Sequence, residues 1–216
     1  MRWLQRLIPR RPPGERAGPR IPHPLTPRGD DAQTDLAAAL TFALYGIEPR
    51  LHVGPHCARV ARLVARLARD AGVQGADFRS LVRAAQLHEV GMVAVPVELL
   101  ENPAPLPPEQ LARVRAQAWI GAEIVRKTED DLTAWLIRHQ YTDYRELLDR
   151  FPASRRELLL AGLFRVADVT DALTVPRPYQ KSLPEERRRD VLFSGAGTRF
   201  HPDAVDTLLQ LRSGWS

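Results

Sequence analysis

Six side chains able to bind a metal or a proton sit at the ends of apolar helical stripes in this chain. They are His56, His88, Glu89, His139, Asp168 and Asp171. In the segment 54–71 the stripe is Val60, Leu63, Val64 and Leu67, and His56 lies four residues before Val60. In 77–89, Leu81, Ala84 and Ala85 lead to His88 at i+7 and Glu89 at i+8. In 130–140, Leu132, Trp135 and Leu136 lead to His139. In 154–174, Leu160, Leu163, Phe164 and Ala167 lead to Asp168, with Asp171 continuing the row. These offsets belong to one face of a helix, so imidazoles and carboxylates from four helices point inward. One buried histidine is readily satisfied by a hydrogen bond. Several buried acids and imidazoles together need either separate partners or a shared one, because an unpaired buried carboxylate costs several kcal/mol. A divalent metal is the simplest shared partner, since imidazole nitrogen and carboxylate oxygen are its ordinary ligands.

The elements that must position these groups read as helices throughout. Candidates span 31–45, 54–71, 77–89, 108–127, 130–140, 154–174, 184–194 and 202–212, with no convincing alternating strand and no internal repeat. Start signals support several of them: Pro107-Pro108-Glu109, Ser182 with Pro184-Glu185-Glu186, and His201-Pro202-Asp203. The segment 95–108, "VPVELLENPAPLPP", reads as a proline-interrupted connection. Residues 1–33 differ from the rest. They carry seven arginines against three acids and are dense in proline, which predicts a disordered basic arm ahead of one all-α domain over 34–216. Trp3, Leu4, Leu7 and Ile8 among those arginines could rest on an anionic membrane surface or a protein partner.

Composition narrows the classes further. Of 216 residues, 44% are apolar and 26% charged, as in a globular protein. A lone cysteine, Cys57, excludes a disulfide scaffold and suggests a reducing, cytoplasmic setting. No apolar run approaches the roughly 18 residues a transmembrane helix needs. The start, "MRWLQRLIPRR", is broken by Arg6 and does not read as a secretory signal. The net charge of +5 is concentrated in the arm, which leaves no basic face for nucleic acid on the remainder.

Four stretches resemble one family. "HCARVARLVARLARDAGV", "AAQLHEVGMVAVPVELLENPAPLPPEQL", "RVADVTDALTVPRPYQ" and "SGAGTRFHPDAVDTLL" together are similar to the HD superfamily of metal-dependent phosphohydrolases. Within it they resemble the HD-GYP group, which hydrolyses cyclic di-GMP. The resemblance covers nearly all of 50–212 and implies an HD-domain helical bundle. It also implies a first-metal set of His56, His88, Glu89 and Asp168, holding one divalent transition metal (iron, manganese or zinc).

The departures from that pattern bear on the chemistry. Glu89 stands where an aspartate is usual, and Met92 where a lysine is usual. Gln117, His139 and Gln140 occupy the positions that hold a second metal in the HD-GYP group. The glycine-tyrosine-proline loop is replaced by Leu147-Leu148-Asp149 inside "YRELLDRFP", which reads as a helical turn. Amide oxygens are weak ligands for transition metals, so the second site is expected to be degenerate. A single ion could still acidify a bound water and polarise a phosphoryl oxygen. The developing charge would then need a cation, for which Arg177 is the foremost candidate and Lys181 a weaker one. Asp171 could orient the water or support a ligand from behind.

Two readings follow. One is a phosphohydrolase acting on a nucleotide or other phosphate ester. The alternative is a catalytically degenerate module that binds a protein partner or a cyclic dinucleotide. A fully equipped cyclic di-GMP phosphodiesterase is disfavoured. Other residues carry plainer expectations: Cys57, Trp119 and Trp135 in the core, and His23, His52 and His201 at the surface.

Overall fold

The computed structural model describes residues 53–100, 106–175 and 182–211. The proposed arm, the 31–45 helix, His23, His52, Arg177 and Lys181 lie outside the described residues.

The described chain is all-α, as its periodicity predicts. Helix α1 (Val53–Asp70) buries Val60, Val64 and Leu67 and leaves Arg62, Arg66 and Arg69 in solvent. It stops at Gly72, whose φ of 73° lets the Val73 N–H turn back onto the Ala68 carbonyl. Helix α2 (Gly75–Leu87) buries Leu81, Ala84, Ala85 and Leu87. It ends two residues before the expected Glu89, with His88 as its C-cap. Glu89 then opens a 3₁₀ turn over Val90–Ala94.

The proline-rich connection contains one turn of helix, α3 (Val97–Leu100). The single helix expected over 108–127 is two, α4 (Pro108–Arg115) and α5 (Gln117–Val125), with Ala116 between them. The break sits where the chain meets the 3₁₀ turn. A Cβ on Gly91 would lie 1.9 Å from the Gln117 carbonyl oxygen and 2.7 Å from the Gly121 nitrogen. The turn after His88-Glu89 is therefore seated backbone to backbone on α5, a contact only glycine allows.

Helix α6 (Asp131–Arg138) is capped by Asp130, whose carboxylate accepts from the Thr133 N–H at 2.9 Å. The same carboxylate accepts from Ser80 of α2 at 2.9 Å, which ties the two helices together at that end. "YRELLDR" forms α7 (Tyr144–Arg150), the helical turn expected there. Helix α8 (Arg155–Thr174) starts with a capping box between Ser154 and Glu157. It is buried on nearly every side and packs against α1, α2, α6, α7, α9 (Glu185–Ser194) and α10 (Pro202–Gln210). The bundle is thus built around α8, and Asp168 and Asp171 are carried on its axis.

Two burial expectations change. Trp119 is 53% exposed and is not core. His201 is half-buried: its ring packs edge-on against Tyr144, and its Nδ1 accepts from the Asp203 N–H to cap α10.

Candidate metal centre

α1, the end of α2 and α8 bring their polar groups to one buried point. One ligand atom from each of His56, His88 and Glu89 can be chosen so that all lie within 4.8 Å of one another. The two imidazole Nε2 atoms are 3.2 Å apart. Asp168 Oδ1 lies 3.3 Å from His56 Nε2 and 3.8 Å from His88 Nε2, and Glu89 Oε1 lies 3.6 Å from His88 Nε2. His88 is fully buried, and the Asp168 side chain is 16% exposed.

The tautomers decide what this cluster can hold. His56 Nδ1 is 2.7 Å from Asp171 Oδ2, an acceptor, so that nitrogen carries the proton. His88 Nδ1 is 2.9 Å from the Ala85 carbonyl, also an acceptor, so it carries one too. In the neutral rings both Nε2 atoms are then lone pairs. Two nitrogen lone pairs and two carboxylate oxygens converge with no donor between them. Such an arrangement repels itself unless a cation stands in the middle, and imidazole with carboxylate is the donor set of a divalent transition metal. The residues present fit one such ion.

A proton on His56 can partly play the same part. Burial pulls its pKa down, but hydrogen bonds to Asp168 and Asp171 outweigh burial and raise it to about 9. For Asp168, burial works against ionisation, and the two imidazoles and Arg165 more than offset it. Its carboxyl is held well below the ordinary range.

Asp171 is fully engaged from behind. Arg59 Nε donates to its Oδ1 at 2.6 Å and Arg59 Nη2 to its Oδ2 at 3.0 Å, besides the His56 contact. The carboxylate fixes the ring and tautomer of His56.

The positions that resemble a second-metal set are put to other uses. Gln140 Nε2 donates to the His88 carbonyl at 2.9 Å and to the Ile137 carbonyl at 3.0 Å. Gln117 Nε2 donates to the Tyr141 hydroxyl at 2.8 Å. The His139 ring packs between Trp135 and Phe151, with centroids at 4.7 and 4.6 Å. Burial and then Arg138 lower its pKa, so the ring is neutral. The side-chain oxygens Gln117 Oε1, Gln140 Oε1 and Glu89 Oε2 are buried without a hydrogen-bond partner among the described residues.

Three nearby residues escaped the sequence reading. Arg59 is one turn after His56, Arg165 one turn before Asp168, and Tyr141 directly follows Gln140. The i±3 spacing on a ligand-bearing helix is the signal that could have found the two arginines. Burial, with Glu89 and Asp168 close by, pushes the Tyr141 hydroxyl far above its usual pKa, so it is a donor and not a base. Cys57 is buried as expected, with Sγ 3.7 Å from His88 Nδ1, and burial keeps it a thiol.

Comparison with known proteins agrees with this geometry. A family model described as "HD domain" matches residues 53–173. A 3'3'-cGAMP-specific phosphodiesterase 2 of Vibrio cholerae is 28% identical over 162 residues, covering 73% of this chain and 31% of that protein. A cyclic di-GMP phosphodiesterase of Thermotoga maritima is 27% identical over 164 residues, covering 72% of this chain and 44% of that protein. The cyclic di-GMP phosphodiesterase response regulator RpfG of Xanthomonas campestris is 26% identical over 160 residues, covering 72% and 42%. The chain spans less than half the length of these relatives.

Proposed function

Because the chain belongs to the HD-domain family and is kin to the HD-GYP phosphodiesterases at low identity, we propose that it is a metal-dependent phosphohydrolase. Its substrate would be a nucleotide or another phosphate ester. His56, His88, Glu89 and Asp168 would hold one divalent ion. The observation that carries this reading is the approach of the two Nε2 atoms to 3.2 Å, with an acceptor at the Nδ1 of each ring.

A divalent ion at that point supplies Lewis-acid polarisation of a phosphoryl oxygen and makes water acidic near neutral pH. The protein's own groups do the rest. Asp171 and Arg59 keep His56 in the tautomer that turns Nε2 inward. Gln140 pins the His88 carbonyl and so the entry to the His88-Glu89 doublet. Glu89 Oε2, buried and unpartnered among the described residues, is an acceptor for a proton from the attacking water. Tyr141 stays protonated and can donate to an oxygen of the ligand.

Metal analysis of the purified chain, followed by assays with bis(p-nitrophenyl) phosphate, p-nitrophenyl phosphate and cyclic di-GMP, tests the proposal. One ion per chain is expected, with metal-dependent turnover of at least one substrate that Asp168→Ala abolishes. A chain that binds no ion and turns over none of them under manganese, iron or zinc would leave the non-catalytic, partner- or cyclic-dinucleotide-binding module as the better account.

A further inference from the structure

Phosphoryl transfer needs a positive group beside the reacting phosphate, and the described residues supply one that is not yet assigned. Arg165 lies on α8, one turn from Asp168, and is only 8% exposed. A guanidinium has five N–H donors and keeps its charge at any working pH. Arg165 uses one of them well: Nη1 donates to the Gln140 carbonyl at 3.0 Å. It forms ion pairs with Asp168 Oδ2 and Asp143 Oδ1, but both are long, at 3.9 Å, and neither is a hydrogen bond. Its Nε is buried with no partner among the described residues. A buried cation so sparsely bonded is costly unless an anionic acceptor completes it.

The direction of that need is set by Asp168. Oδ1 faces the imidazole pair, and Oδ2 is the oxygen nearest Arg165. The guanidinium therefore approaches Asp168 at the oxygen that the imidazoles leave free. Gln140 joins the two sides, since its carbonyl receives Arg165 and its amide holds the His88 carbonyl.

We propose that Arg165 is the phosphoryl-binding cation of this site, donating its unused N–H groups to the non-bridging oxygens of the ligand's phosphate. The proposal rests on the one-ion reading above. It assigns to a buried residue of α8 the role the sequence suggested for Arg177.

The test uses binding and not turnover. The full chain is loaded with Mn²⁺, the bound ion is counted, and inorganic phosphate is titrated by ³¹P line broadening. Wild type is expected to hold one Mn²⁺ and to bind phosphate. Arg165→Met and Arg165→Gln are expected to weaken phosphate by about 10- to 100-fold, the range for a lost charged hydrogen bond. They should hold Mn²⁺ as tightly as wild type or more tightly, because a positive neighbour of the ion has gone. Arg165→Lys, which keeps the charge but not the fork, should fall between.

A second measurement needs no neutral variant to fold. In ¹H–¹⁵N spectra of the Zn²⁺-loaded wild type, the arginine Nε–H resonance that is lost in Arg165→Lys should shift as phosphate is added. Phosphate affinity unchanged in the neutral variants, or a stationary Nε–H resonance, overturns the assignment. Weakened Mn²⁺ binding in those variants also overturns it, since it would mark Arg165 as a strut for the ligands. Wild type that binds Mn²⁺ but ignores phosphate sinks this proposal alone, whereas wild type that binds no ion sinks the one-ion reading with it.

Discussion

At the scale of single residues, the centre is governed by which nitrogen of each histidine carries a proton. Asp171→Asn replaces the anionic acceptor of His56 Nδ1–H with an amide and frees Arg59. The expected result is a 10- to 100-fold loss of ion affinity, about the usual effect of removing such a partner, measured by competition with a chelating dye. The proton on His56 sets the pH dependence. With no ion bound, its folded pKa of about 9 lies above the ordinary 6.5, because the Asp168 and Asp171 hydrogen bonds outweigh burial. Its contribution to stability is therefore complete below about 6.5 and is lost as pH rises through 9. An ion needs that nitrogen unprotonated. Uptake near neutral pH should expel a proton, and apparent affinity should climb with pH and level off near 9. Calorimetry in buffers of different ionisation enthalpy measures the proton count directly.

The residue scale also shows what could be read in advance. His56, His88 and Glu89 were legible because each closes an apolar stripe, and a polar group at that position has nowhere to point but inward. The aspartates of α8 were legible for the same reason. Tyr141 and Arg165 were not. A tyrosine after a helix end and an arginine within a helix have good surface roles, and only the i−3 spacing from Asp168 marks the arginine. Trp119 failed in the opposite sense: it was expected in the core, but α5 turns its other side to the bundle.

At the scale of elements, the critical contact is the seat of the 3₁₀ turn on α5. Gly91→Ala would drive a methyl into the Gln117 carbonyl, and no side chain is available to give way. The expected cost is about 1–3 kcal/mol or more. Because Glu89 heads that turn, the same substitution should also lower ion occupancy. Chemical denaturation and metal analysis of one preparation would check both. Asp130→Ala removes the α6 cap and its tie to Ser80, and should cost about 1–2 kcal/mol in denaturant midpoints without changing ion affinity. The Asp130 carboxyl is opposed by burial but held below its ordinary pKa by Thr133 and Ser80. Its stabilising effect is therefore present above 3.8 and is lost as pH falls below it. Helix positions followed from periodicity. The break at Ala116 did not; it falls beside the seat of the 3₁₀ turn on α5, a contact the local pattern does not encode.

At the scale of the whole molecule, an ion held as proposed would tie three separate stretches of chain, so its removal should be felt globally. At a free ion concentration 100 times the dissociation constant, stabilisation is about 2.7 kcal/mol, and a chelator should remove it. The readout is the unfolding midpoint with and without chelator. No helix among the described residues is long and apolar enough to cross a membrane. The described residues also contain a built-in gauge of breathing. Cys57, the chain's sole thiol, is sealed beneath His88 and 4% exposed. An alkylating reagent can reach it only when α1 and α2 part, so the rate of labelling counts those openings, and a clamped pocket will make that clock run slow.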